Sequence, residues 1–161
     1  MAQVSETRQM LDLGCGRSVR RGFIGIDQSG EDDIVRHDLE WGLPIRWVDN
    51  EACHVIVADN LLEHMREMIA LLNDCHDALL PAGRMHVTVP NVLASPEAAW
   101  SDPTHVRTFT PATWDYFNGA HPRWAEYGRQ YGILPWRVVY LRERDRFIDV
   151  MLRPVGEGDN G

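Results

Sequence analysis

The stretch MLDLGCGRSVRRGFIGID, residues 10–27, limits what this chain can fold into more than any other. It opens as an apolar run, Met10-Leu11-Asp12-Leu13, and breaks into Gly14-Cys15-Gly16, the composition of a buried parallel strand feeding a glycine turn. Phe23-Ile24-Gly25-Ile26 repeats the apolar pattern and ends in Asp27. Adjacent parallel strands of an open α/β sheet deliver their carboxyl ends to a ligand. The glycines let backbone approach it closely, and Asp27 offers two oxygens to the hydroxyls of a ribose. Only ten residues separate Gly16 from Asp27. A crossover helix needs about a dozen or more, so a short loop over residues 17–22 must stand in its place. A plainer reading, a glycine turn in an ordinary α/β sheet, remains open on these residues alone.

Further along, residues 34–38 (IVRHD) read as a third strand and residues 54–58 (HVIVA) as a fourth. The period then changes. Leu61, Met65, Met68, Ile69, Leu72, Cys75 and Leu79 recur at three and four, predicting a helix of about twenty residues. Asn60 with Glu63 three residues on marks its start, and Pro81-Ala82-Gly83 its stop, before a fifth strand over residues 84–89. His64, as a lone histidine on that helix, reads as a packed or solvated side chain. Residues 136–141 and 147–152, joined by the charged turn 143–146, read as an antiparallel hairpin. The expected fold is α/β: a doubly wound, mostly parallel sheet of seven strands or fewer, ending in an antiparallel hairpin, with the first crossover helix lost or shortened.

Five stretches carry a resemblance: LDLGCG at 11–16, GID at 25–27, ADNLLEHM at 58–65, LLPAGRMHVTVPN at 79–91 and DPTHVRTFT at 102–110. They resemble the class I S-adenosylmethionine-dependent methyltransferases through most of the chain. The resemblance implies S-adenosylmethionine as cofactor, contacted by Asp12, Gly14, Cys15, Gly16, Asp27, Gln28, Asp38, Leu39, Asn60 and Leu61. In that family the position of Asp38, followed by Leu39, lies beside the adenine, and the turn at Asn60-Leu61 borders the cofactor. Read from the residues alone, Asp38 is equally a turn or cap residue. The implied reaction moves a methyl group from a sulfonium to an oxygen, nitrogen or carbon nucleophile; a small-molecule or sugar acceptor is expected. His105, shortly after the fifth strand with Asp102 three residues before it, is the candidate base for the acceptor proton. The competing reading of Asp102-Pro103-Thr104-His105 is a proline turn whose histidine hydrogen-bonds the backbone. The short first loop departs from the family pattern, and with β structure expected from residue 10 the helices that cap the acceptor site in many relatives are expected to be absent. Both departures favour a rival function, a binding or scaffold protein that keeps the fold without turnover. A dinucleotide oxidoreductase is disfavoured, because GxGxxG does not follow Gly14 and its helix has no room.

Composition narrows the rest. A chain of 161 residues holds one domain with a proper core; its expected bounds are 1–155, with 156–161 a disordered tail. Residues 91–135 read as an aromatic-rich insertion, with eight of the fourteen aromatics and five of the nine prolines. One short helix, opened by Thr110-Pro111 and closed by Asn118-Gly119, is expected in it, with most of its aromatics covering the sheet. A net charge of −8 argues against a nonspecific grip on nucleic acid. In the resembled family, exocyclic-amine methylation of DNA or RNA bases typically uses an N/D-P-P-Y/F turn after the fourth strand, where this chain has Asp59-Asn60-Leu61-Leu62. Cys15, Cys53 and Cys75 lack CxxC spacing and read as reduced thiols. The seven histidines are dispersed, with no ligand spacing tighter than Asp102 and His105, so no metal is expected. No apolar stretch reaches the ~20 residues of a membrane span, and the polar first residues lack a signal-peptide core, so a cytoplasmic protein is expected. Homo-oligomerisation is left open.

Overall fold

The structure, a computed structural model, describes residues 9–30, 33–44, 46 and 53–156. Its elements are β1 (Gln9–Leu13), β2 (Ile24–Asp27), β3 (Ile34–Arg36), β4 (Cys53–Asp59), α1 (Met68–Ala78), β5 (Leu79–Pro90), α2 (Pro96–Trp100), β6 (Trp136–Arg144) and β7 (Phe147–Pro154). They form one seven-stranded sheet in the order β3-β2-β1-β4-β5-β7-β6. β7 runs antiparallel to both its neighbours, and the other pairings are parallel. This is the mostly parallel sheet with an antiparallel end that the sequence implies.

The register sorts the strands into two unlike faces. Leu11 and Leu13 of β1, Ile56 and Ala58 of β4, Met85 and Val87 of β5 and Val150 and Leu152 of β7 fall on one face and are buried. They share a core with Leu71, Leu72 and Cys75 of α1 and with Phe109, Trp114, Phe117 and Trp136. Asp12, Val57, His86, Asp149 and Tyr140 belong to the other face. A cavity of about 510 Å³ lies over that face, lined only by strand and loop residues. β6 carries one extra residue relative to β7 between Val138 and Tyr140, which leaves Val139 turned out to solvent.

The short first connection is real: residues 14–23 contain no helix. The loop instead folds onto β2, where Val19 lies against Gly25. A Cβ at Gly25 would stand 2.4 Å from Val19 Cγ2 and 2.8 Å from Cys15 Sγ, so only glycine admits this contact.

The long helix expected after β4 is two separate pieces. Leu62–His64 forms a 3-10 turn, Met65 is extended, and α1 spans only 11 residues. The reason lies in the carbonyls. Glu63 O accepts from Val106 N at 2.8 Å, Met65 O from Arg107 Nε at 2.8 Å and Arg66 O from Arg107 Nη2 at 2.7 Å, so the 106–107 loop takes the acceptors that a continuous helix would use. Asn60 and Glu63 make no capping box. Glu40 caps α1 from outside, accepting from Arg66 N at 2.8 Å and Glu67 N at 3.0 Å.

Residues 91–135 hold more helical structure than the one short helix expected. α2 starts at a Ser95 cap, Pro111–Tyr116 is a 3-10 segment with a Thr110/Thr113 capping box, and Trp124–Gly128 is a π-type turn. Phe109, Trp114 and Phe117 are buried, and Tyr116 and Trp124 pack against the core, whereas Trp100, Tyr127 and Tyr131 are exposed. The expected features of the N-terminus, most of the loop before β4 and the tail 157–161 lie outside the described residues. Among the described residues no helix is long and apolar enough to cross a membrane, and all three cysteines are free thiols.

Candidate functional site

The carboxyl ends of β1 and β2 meet as the sequence implies. Gly14 and Gly16 have φ of 64° and 59°, a left-handed backbone that L side chains adopt at a cost. Gly14 N donates to Ile26 O at 2.8 Å, and the space a Cβ would need is filled by Leu61 Cδ1 at 2.8 Å. Gly16 faces open space, with nothing within 4 Å of the position its Cβ would occupy. Its N–H donates to Asp27 Oδ2 at 3.0 Å, and Ser29 N donates to Oδ1 at 2.7 Å. Burial alone would raise the Asp27 carboxyl, but the Ser29 and Gly16 donors outweigh it and hold it below the usual carboxylate value. Two carboxylate oxygens offer about four acceptor positions, so Asp27 keeps free lone pairs after these bonds.

Not every residue assigned by resemblance faces this edge. Asp12 is buried on the cavity-side face and accepts from Arg20 N at 3.0 Å and from the Arg20 guanidinium, which also pairs with Asp59. Cys15 is half-buried, its thiol pushed up first by burial and then by Asp12 and Asp27. Gln28 is exposed. Asp38 is a cap: Oδ1 accepts from Glu40 N at 3.0 Å at the head of the Leu39–Trp41 turn, while Leu39 is buried in the core. Asn60 sits at φ 49° with its N–H given to Thr88 O at 2.9 Å, which turns the chain sharply at the end of β4.

His105 is oriented by backbone. Its Nδ1 donates to Ala99 O at 2.8 Å, while Asp102 Oδ2 lies 4.0 Å from Nε2. Asp102 is occupied elsewhere: Oδ1 accepts from Thr104 N at 2.8 Å and from Thr104 Oγ1 at 2.6 Å. The orienting role expected of Asp102 is therefore filled by the Ala99 carbonyl, as the proline-turn reading has it.

What spacing alone missed is the group around this histidine. His64 is not a lone side chain: its ring stands edge-on to His105 at 4.7 Å, and its Nδ1 lies 2.9 Å from Thr104 Oγ1. Beside them Glu63 is only 1% exposed, and neither carboxylate oxygen has a hydrogen-bond partner. Burial pushes its carboxyl up to about 7. Burial also lowers the His64 ring, and the neighbouring His105 lowers it further. The available signal was Glu63 itself, a charge set between Leu62 and Met65 in an apolar stretch.

No family model matches the chain, and no curated protein does. Solved structures match its fold. A 1,6-didemethyltoxoflavin-N1-methyltransferase from Burkholderia thailandensis, with S-adenosylhomocysteine bound, is 16% identical with a TM-score of 0.57, covering 92% of this chain and 72% of that one. An S-adenosylmethionine-dependent methyltransferase from Mesorhizobium loti is 15% identical with a TM-score of 0.55, covering 90% of each chain. The fold is that of the class I methyltransferases. A 16S rRNA adenine methyltransferase from Catenulisporales acidiphilia, with S-adenosylmethionine, matches at 12% identity and a TM-score of 0.58, over 93% of this chain and 86% of that one. Class I methyltransferase structures with both small-molecule and RNA acceptors thus share this architecture.

Proposed function

We propose that this protein binds S-adenosylmethionine at the carboxyl ends of β1 and β2 and transfers its methyl group to an oxygen or nitrogen of a small-molecule or sugar acceptor. The observation that carries the reading is the pairing of Gly16, which faces open space in a left-handed turn, with Asp27, which keeps acceptor capacity beside it. Gly14 and Asn60-Leu61 adjoin the same edge; the methyltransferases of this fold crystallised with S-adenosylmethionine or S-adenosylhomocysteine support the choice of ligand. Bound there, S-adenosylmethionine would supply a methyl group activated by its sulfonium, and Gly16 and Asp27 would hold its ribose. The leaving group is already activated, so the protein's main contribution is in-line positioning. The net charge of −8 favours a small acceptor over nucleic acid, whose affinity rests on phosphate neutralisation. A cytoplasmic setting suits the three free thiols.

Calorimetry with S-adenosylhomocysteine tests this. Wild type should bind, and Asp27→Ala should lose about 1.5–3 kcal/mol, roughly tenfold or more in affinity. Absence of heat with wild type at millimolar ligand would support the rival scaffold reading, which the helix-free first connection favours.

A further inference from the structure

We propose that Glu63, His64 and His105 form a binding site for one divalent transition-metal ion of the zinc class. A ring nitrogen of each histidine and a carboxylate oxygen of Glu63 all lie within 4.8 Å of one another. Three atoms so placed can be reached by a single cation no more than about 2.8 Å from each. Shifts of under about 1 Å would bring them to the ~2.0–2.1 Å of zinc-bound imidazole and carboxylate.

The hydrogen bonds prepare both rings for this role. Ala99 O can only accept, so His105 Nδ1 carries the proton and Nε2 the lone pair. Asp102 as a carboxylate also only accepts, so the Thr104 hydroxyl points its proton at Asp102 and receives the Nδ1 proton of His64. That again leaves the lone pair on Nε2. Metal-ligating histidines characteristically give their other N–H to a carbonyl or to a carboxylate-linked group, which fixes tautomer and ring orientation. Both histidines here do so.

Glu63 supplies the independent sign. A fully buried carboxylate with two unpartnered oxygens is costly, and native proteins resolve such groups by neutralisation, by pairing or by metal coordination; protonation would still leave Glu63 without an acceptor for its proton. Among the described residues no arginine, N–H or hydroxyl reaches it. Two imidazoles and one carboxylate form the donor set of open zinc sites and of ferrous centres, with positions left for an exogenous ligand. The set is held by the ties between loops, Val106 N to Glu63 O and Arg107 to the carbonyls of Met65 and Arg66. His64 is half-buried, which leaves an approach from solvent. Where the methyl-transfer reading holds, and resting on it, the ion would bind an acceptor hydroxyl and promote loss of its proton, and His105 would act as a ligand rather than as a lone base.

The test uses tag-free full-length chain stripped with a chelator. Titration with Co²⁺ should produce a visible ligand-field band saturating at one ion per chain, bleached by equimolar Zn²⁺. Glu63→Gln, close in shape to the native residue, and His64→Gln should each weaken Co²⁺ binding more than about a hundredfold. Thr104→Val, which removes the hydroxyl joining His64 Nδ1 to Asp102 and no metal-binding atom, should weaken it about tenfold. Circular dichroism checks that each variant is folded, and Thr104→Val serves if a ligand variant is not. No band with wild type, or an unchanged band in the folded variants, would overturn the site. S-adenosylhomocysteine calorimetry on the same stripped protein separates the two readings: ligand bound without Co²⁺ sinks the metal site alone, and Co²⁺ bound without ligand sinks methyl transfer alone.

Discussion

Gly16 donates its backbone N–H to Asp27 Oδ2 across 3.0 Å, which ties the turn after β1 to the last residue of β2. The same carboxylate that is offered to a ligand therefore fixes the shape of the glycine turn. Its two roles separate by pH.

A carboxyl whose folded pKa lies below its unfolded value, here 3.8, contributes stability that is complete above that value and lost as pH falls through the folded pKa. The difference in Tm between wild type and Asp27→Asn should therefore stay constant from about pH 7 to about pH 5 and close below about pH 3.8. A gap that persists undiminished at pH 3 would mean that the charge of Asp27 contributes nothing to folding.

Gly25→Ala and Gly16→Ala should fail in different ways. At Gly25 the new methyl meets Val19 and Cys15, an overpacking worth about 1–3 kcal/mol that Val19→Ala relieves in part, the Cys15 contact remaining. At Gly16 no atom is met, so the loss is the backbone cost alone, about 1 kcal/mol, with no rescue by Val19→Ala. Urea denaturation of the three single variants, Val19→Ala included, and the two double variants gives the comparison.

Arg20 is the partner of the buried Asp12, and it is itself 40% exposed. Arg20→Ala leaves an uncompensated carboxylate inside, which should cost about 2 kcal/mol after allowance for solvent at the arginine. Asp12→Asn in the Arg20→Ala background should recover part of that loss. If the double variant is less stable than Arg20→Ala alone, the carboxylate is being satisfied by something other than Arg20.

Glu40→Ala should cost about 1 kcal/mol, the usual worth of a lost cap, because α1 has no side-chain cap of its own and takes Glu40 as its acceptor. Helical ellipticity and the urea midpoint should both fall. An unchanged midpoint would mean that water replaces the carboxylate without loss.

The sheet was legible because its strands are written in local composition. The largely apolar stretches at 11–13 and 54–58, the alternation of apolar and polar residues at 84–89 and the glycines that end β1 needed no knowledge of distant residues. The helix after β4 was misread because its first turn is decided from outside. The apolar stripe from Leu61 to Met65 is genuine, but residues 106 and 107, some forty positions on, take the carbonyls and unwind it. The same long-range tie hides the Glu63, His64 and His105 group, whose members are two neighbours and a residue from another loop. Histidine spacing along the chain carries no trace of it. Asp12 and Asp38, assigned to the cofactor by motif position, have local partners that spacing did not announce, Arg20 in one case and Glu40 N in the other.

The extra residue at Val139 has a bearing on assembly. β6 is the outermost strand on its side, nine residues long, and a flat strand of that length would invite another chain to extend the sheet. The bulge breaks the even spacing of outward-facing amides and carbonyls, and Arg137, Arg142, Glu143 and Arg144 place charged side chains along this strand. The opposite rim, β3, has three residues, too few to template a stable ladder. Among the described residues, both rims of the sheet are thus poor templates for joining sheet to sheet with a second copy.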